Sequence, residues 1–140
     1  MDYDNTNPFA RILGGELPCV KVYEDALTLA IMDIMPQAPG HVLVLPKEPA
    51  AELFALSDEG AAACIRTTKK VAAAVKAALG APGIMIAQFN GSAAGQTVPH
   101  VHCHIVPREA AAALKPHAAV HADAAELRAL AARIIAALPA

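Results

Sequence analysis

The sequence predicts an α+β fold, in which a five-stranded, largely antiparallel sheet carries a long middle helix and a C-terminal helix. Three observations point there. Five short apolar segments have strand character, and, apart from the third and fourth, which flank the long helix, neighbouring ones are separated by turns too short for a parallel crossover. Two longer stretches repeat apolar residues at helical spacing. The length, 140 residues, suits one domain spanning residues 1–140 with one core.

The elements follow in chain order. "NPFARILGG" predicts a short first helix: Asn7 caps it, Pro8 suits its first turn and Gly14 ends it. "CVKVYED" and "LTLAIMD" read as two strands around a turn at Asp25, and "APGHVLVLPK" as a Pro-Gly turn entering a third strand. Ser57 caps a long helix that ends near Gly80, with Cys64, Thr68, Val71, Ala72, Val75 and Leu79 as its buried stripe. "GIMIAQF" is the fourth strand, "NGSAAGQ" a glycine-rich turn, and Val98 to Val106 the fifth strand. Asp123 and Glu126 resemble a capping box for a last helix, whose apolar face is Leu127, Leu130, Ala131, Ile134 and Leu138 and whose stop is Pro139.

Composition narrows the function classes. The formal net charge is -2 with 17% charged residues, which gives no basic footprint for nucleic acid or for an anionic membrane. No apolar run reaches the ~18 residues of a membrane span. Cys19, Cys64 and Cys103 are an odd, scattered set behind an acidic, polar N-terminus. That pattern predicts free thiols in a reducing, cytoplasmic setting.

The densest chemistry lies in "VPHVHCHIVPR", where His100, His102 and His104 occupy every second position. In a strand such residues share one face, while Val101, Cys103 and Ile105 turn to the other. Three readings compete. The rings can be inert, although clustered imidazoles disfavour one another's protonation. They can bind a metal, but positions four apart lie ~13 Å apart along a strand, too far for one zinc with bonds of ~2.0–2.1 Å. Or one neutral imidazole can attack phosphorus and form a covalent intermediate. That reading needs a partner to fix its tautomer and donors to hold phosphate oxygens and assist the leaving group.

The stretch His100-Val101-His102-Cys103-His104-Ile105-Val106 resembles the signature of the histidine triad (HIT) superfamily of nucleotide hydrolases and transferases. "VYED", "MDIMPQAPGHVLVLPK" and "NGSAAGQTVPH" resemble further blocks of that family, so the likeness covers roughly residues 7 to 108. "GQTVPHVHCHIVPR" leans toward the fragile-histidine-triad style, and "MDIMPQAPGH" is equally similar to the Hint-type branch.

The resemblance implies a HIT fold, a two-fold homodimer with the sheets joined across the interface, and a purine nucleotide substrate. It implies that His102 is the nucleophile at the α-phosphate, oriented by His100 through a backbone carbonyl. His104 would bond the phosphate or the scissile bridging atom, and His41 would support the triad from the adjacent strand. Gln96 and Thr97 match the polar pair that contacts phosphate and leaving group, and Asn90 matches a position near the phosphates. Asp33 matches the residue that holds the ribose hydroxyls, and Phe9, Ile12, Ile31 and Ile34 match the apolar slot for the base. Each of these also has a plainer role open to it, as a turn cap or a core residue.

Some relatives hold a structural zinc with a C-x-x-C before the first helix. Here that stretch is Asn7-Pro8-Phe9-Ala10, and Glu48 and Pro49 stand where a histidine is usual. The expectation is therefore no bound metal and no required cofactor, with Mg²⁺ accompanying only polyphosphate substrates. Phe89 replaces an asparagine common in relatives. The implied activity is release of a nucleoside monophosphate from a phosphoramidate or a dinucleoside polyphosphate. The alternative is a nucleotide-binding or partner-binding module with little catalysis.

Overall fold

The computed structural model describes residues 2–110, 113–116 and 118–139. Helix α1 (Pro8–Leu13) leads into strands β1 (Lys21–Glu24), β2 (Thr28–Met32) and β3 (Val42–Pro46); helix α2 (Asp58–Leu79) then precedes β4 (Gly83–Ala87), β5 (Cys103–Arg108) and helix α3 (Ala124–Ala137). The sheet order is β1-β2-β3-β5-β4 and every neighbouring pair is antiparallel. This is the α+β, five-stranded antiparallel architecture that the sequence predicts, with β5 inserted between β3 and β4.

Local chemistry accounts for the element ends. The Asn7 side chain accepts from the Ala10 amide and caps α1 ahead of Pro8. Asp25 Oδ1 accepts from the Leu27 and Thr28 amides, closing the β1–β2 hairpin. Ser57 caps α2, Asp58 and Glu59 sit at its positive end, and Gly80 ends it at φ 62°. Glu48, in the place of the expected histidine, accepts from the Ser57 amide and hydroxyl and so braces that cap. Asp123 accepts from the Glu126 amide to start α3.

The sheet is covered on both sides, which explains why β2 and β3 are buried at every position. Ala30, Met32, Val42, Val44, Cys103 and Ile105 face α2 and α3. Each Val or Ile fully removed from water there contributes about 1.5–3 kcal/mol. Cys64 and Cys103 meet in this layer as free thiols with Sγ atoms 3.7 Å apart. Leu29, Ile31, Leu43 and Leu45 point the other way and pack with Phe9 of α1. His104 is registered opposite Leu43, so the pleat delivers its ring to the α1 side.

Two expectations need correction. The fifth strand begins at Cys103, not Val98, and runs to Arg108. The cause is the His100 backbone. Its N–H turns back to the Val98 carbonyl, and its own carbonyl accepts from a side chain, His102 Nδ1. Neither group is left for a ladder. Likewise His41 lies one residue ahead of β3 rather than within it. It follows Gly40, whose φ is 92° and where a Cβ would fall 2.3 Å from Leu79 Cδ1. Only glycine lets the chain turn there while lying against α2.

Candidate active site

The site is assembled from one end of the sheet and α1. His41, His100, His102 and His104 are all buried. Their protonation follows from their partners, because a carbonyl only accepts and a backbone amide only donates. His100 Nε2 lies 2.8 Å from the Pro46 carbonyl, so it carries the proton. His100 Nδ1 is therefore an acceptor, and it receives the Tyr3 hydroxyl at 2.6 Å. His102 Nδ1 lies 2.6 Å from the His100 carbonyl and must be N–H, which leaves the lone pair of a neutral ring on Nε2.

A second chain ends with the opposite polarity. The Gln37 amide donates to His41 Nδ1 at 3.0 Å, so the neutral His41 ring carries its proton on Nε2. That nitrogen is 3.0 Å from His104 Nδ1 and 3.4 Å from Asp33 Oδ2. His104 Nδ1 then accepts, and His104 Nε2 carries N–H. The ring centroids of His102 and His104 are 4.8 Å apart. A basic nitrogen and an N–H donor are thereby set side by side.

These rings open on a cleft of about 330 Å³. Phe9, Ile12, Ile31 and Ile34 all line it, together with Asp33, Thr97, His102 and His104. Phe9 also packs edge-on against His102 at 4.9 Å between centroids. Asp33 does two things: Oδ1 accepts from the Met35 amide and fixes the turn, while its carboxylate stays on the cleft wall.

His41 and His100 stand behind the wall rather than in it. Gln96 and Asn90 do not line the cleft. Gln96 is buried; its Nε2 donates to the Ala51 and Val98 carbonyls and its Oε1 accepts from Gly91 N. It therefore braces the segment that presents Thr97. Asn90 exchanges hydrogen bonds with Gln88 and accepts from the Leu53 amide. Phe89 lies against His104, 5.3 Å between ring centroids. His121 is exposed, and His117 lies outside the described residues.

Several contributors escape sequence reasoning. Tyr3 is 97 residues from His100, so spacing gives no hint of it. The Pro46 carbonyl and the Gln37 amide act through the backbone, which carries no residue signal. Leu17, Pro18 and Cys19 add to the cleft wall.

Among the described residues, Asp33, His41 and His104 bring three metal-type donor atoms within 4.8 Å of one another. The proton bookkeeping does not suit a metal. His41 Nδ1 is taken by an amide, and the facing nitrogens of His41 and His104 share a proton that a cation would have to displace. The arrangement is a hydrogen-bonded relay.

Comparison with known proteins gives the context. The HIT domain model matches residues 14–111. The chain belongs to the HIT family. It is 46% identical over 100 residues to the adenosine 5'-monophosphoramidase hnt1 of Schizosaccharomyces pombe, covering 71% of this chain and 72% of that one. It is 37% identical over 101 residues to the adenylylsulfatase HINT3 of Arabidopsis thaliana, covering 72% of this chain and 51% of the relative. The crystal structure of a Hit-like protein involved in cell-cycle regulation from Bartonella henselae superposes with a TM-score of 0.92 at 44% identity, over 98% of this chain and all of that one. No helix among the described residues is long and apolar enough to cross a membrane.

The buried His100 predicts a pH dependence. Burial holds its pKa below the ordinary 6.5, against an opposing effect of the Pro46 hydrogen bond. The unfolded chain therefore binds a proton below about 6.5 that the folded chain refuses. Stability from this group is full above that pH and is lost on acidification, at up to about 1.4 kcal/mol per pH unit. The urea midpoint is expected to fall between pH 7.5 and 5.5, and a flat midpoint contradicts the assignment.

Proposed function

We propose that this protein hydrolyses a purine nucleotide at its α-phosphate through a covalent nucleotidyl-His102 intermediate. The observation that carries the reading is the 2.6 Å bond from His102 Nδ1 to the His100 carbonyl at the wall of an apolar cleft. It leaves Nε2 basic and stabilises the positive charge that grows on the ring as that nitrogen bonds to phosphorus.

The steps balance without a metal at the nucleophile. His102 Nε2 attacks phosphorus, and the bond from phosphorus to the leaving nitrogen or oxygen breaks. His104 Nε2–H donates to the departing atom. Water then attacks the same phosphorus and returns a proton to His104 Nε2, replacing the one given to the leaving group; the bond from phosphorus to His102 Nε2 breaks, His102 leaves as the neutral ring, and a nucleoside monophosphate is released. Phe9, Ile12, Ile31 and Ile34 hold the base, and the Asp33 carboxylate accepts from the ribose hydroxyls. Thr97 faces the phosphate. Gln96 and Asn90 act by holding the loops behind it.

The name of the S. pombe relative favours an amine as the leaving group. A dinucleoside polyphosphate is the other substrate class, and Mg²⁺ would accompany it only to neutralise its charge. We also propose a homodimer. β4 is an open sheet edge whose Ile86 is 47% exposed, and Ile65 on α2 is 56% exposed, an arrangement that suits a self-complementary contact.

Adenosine 5'-phosphoramidate and diadenosine tetraphosphate, each with and without a chelator, test the chemistry. The expected result is adenosine monophosphate from the phosphoramidate in the presence of chelator, with His102→Ala slower by about 10³-fold or more. Equal rates for wild type and variant would refute it. Sedimentation at micromolar concentration is expected to give twice 14.4 kDa; a species of the single-chain mass contradicts the dimer.

A further inference from the structure

The segment before α1 reaches back to the triad, and nothing in the nucleophile's chemistry as set out above requires it to. We propose that Tyr3 is a positioning residue for the reaction: by donating its hydroxyl proton to His100 Nδ1 it holds the His100 backbone carbonyl, and through that carbonyl the attacking ring of His102. This rests on the reading of His102 as nucleophile.

The geometry is specific. Tyr3 Oη is 2.6 Å from His100 Nδ1, and the two rings meet edge-on with centroids 5.6 Å apart. The other nitrogen of His100 is already committed to the Pro46 carbonyl. The ring is thus pinned at both ends, inside a fully buried residue. The same residue supplies, three bonds from its Cβ, the oxygen that accepts from His102 Nδ1. A rotation of the ring that moves its Cα therefore moves the acceptor of the nucleophile.

Tyr3 is itself held. The Asp4 carboxylate accepts from the Thr6 amide and hydroxyl. The Asp4 carbonyl accepts from both the amide and the side chain of Asn7. Asn7, nearly buried, caps α1. Two residues further on, Phe9 packs edge-on against His102. One continuous stretch, residues 3–9, thus grips two members of the triad: Tyr3 by a hydrogen bond to His100, and Phe9 by its ring on His102. Phe9 also lines the cleft, so the apolar wall and the orientation of the nucleophile share one anchor.

Replacing Tyr3 by Phe keeps the ring and removes the donor, leaving a buried acceptor unpaired. Loss of one such bond corresponds to about a 5- to 20-fold fall in rate if its full effect falls on the transition state. Tyr3→Phe is expected to lower kcat for the phosphoramidate by that factor with KM changed less than twofold. In a His100→Ala background the same substitution is expected to add no further loss, because the residue acts through His100.

A purely structural role would instead lower the unfolding midpoint and leave kcat per folded molecule unchanged. An independent readout needs no substrate: the His102 Nδ1–H proton resonance of the free enzyme is expected to move in Tyr3→Phe. Wild-type protein that turns over no nucleotide would overturn the reading of His102, and the resonance would still decide whether Tyr3 positions that ring. Unchanged kcat together with an unchanged resonance overturns the proposal for Tyr3.

Discussion

One short hydrogen bond, from His102 Nδ1 to the backbone carbonyl of His100, organises the site. A carbonyl cannot donate, so the bond admits one neutral tautomer and places the lone pair of His102 on Nε2. Everything around it serves that constraint. The His100 ring is tied to Pro46 at one nitrogen and to Tyr3 at the other. The parallel chain from the Gln37 amide through His41 to His104 is closed by the same logic, but ends in N–H instead of a lone pair. A ring nitrogen with a lone pair and one with N–H are distinguished by backbone groups, although the side chains are chemically identical.

The fold makes those backbone groups available. Pro46 ends β3 and offers its carbonyl to His100. The chain around His100 gives up strand pairing, which frees the carbonyl that His102 needs. The β3–β5 register puts His104 on the α1 side of the sheet and Cys103 against α2. Gly40 allows the chain to turn against Leu79 just before His41. Since the sheet is buried on both faces, these positions have little freedom to drift.

Much of this was legible in the sequence. Alternation told which face the histidines share, and capping residues located the three helices. The family likeness grouped Phe9, Ile12, Ile31 and Ile34, and these four line one cleft. The misplaced start of the fifth strand has its origin in backbone bonding. Val98 to His102 look like strand because their side chains alternate, yet the His100 carbonyl is diverted to a side chain. Separately from that boundary, Asn90 and Gln96, which the family likeness places at the phosphates, hydrogen-bond loop amides and carbonyls. Tyr3 gave no signal at all, because a contact spanning 97 residues leaves no local pattern.

The tautomer of His102 is the claim on which the rest depends, and nitrogen NMR of the free protein with labelled histidine reads it directly. At neutral pH the account predicts a neutral His102 ring, protonated at Nδ1 with an unprotonated Nε2. A ring protonated at Nε2, or an imidazolium, would contradict it, because neither could attack phosphorus from the cleft side.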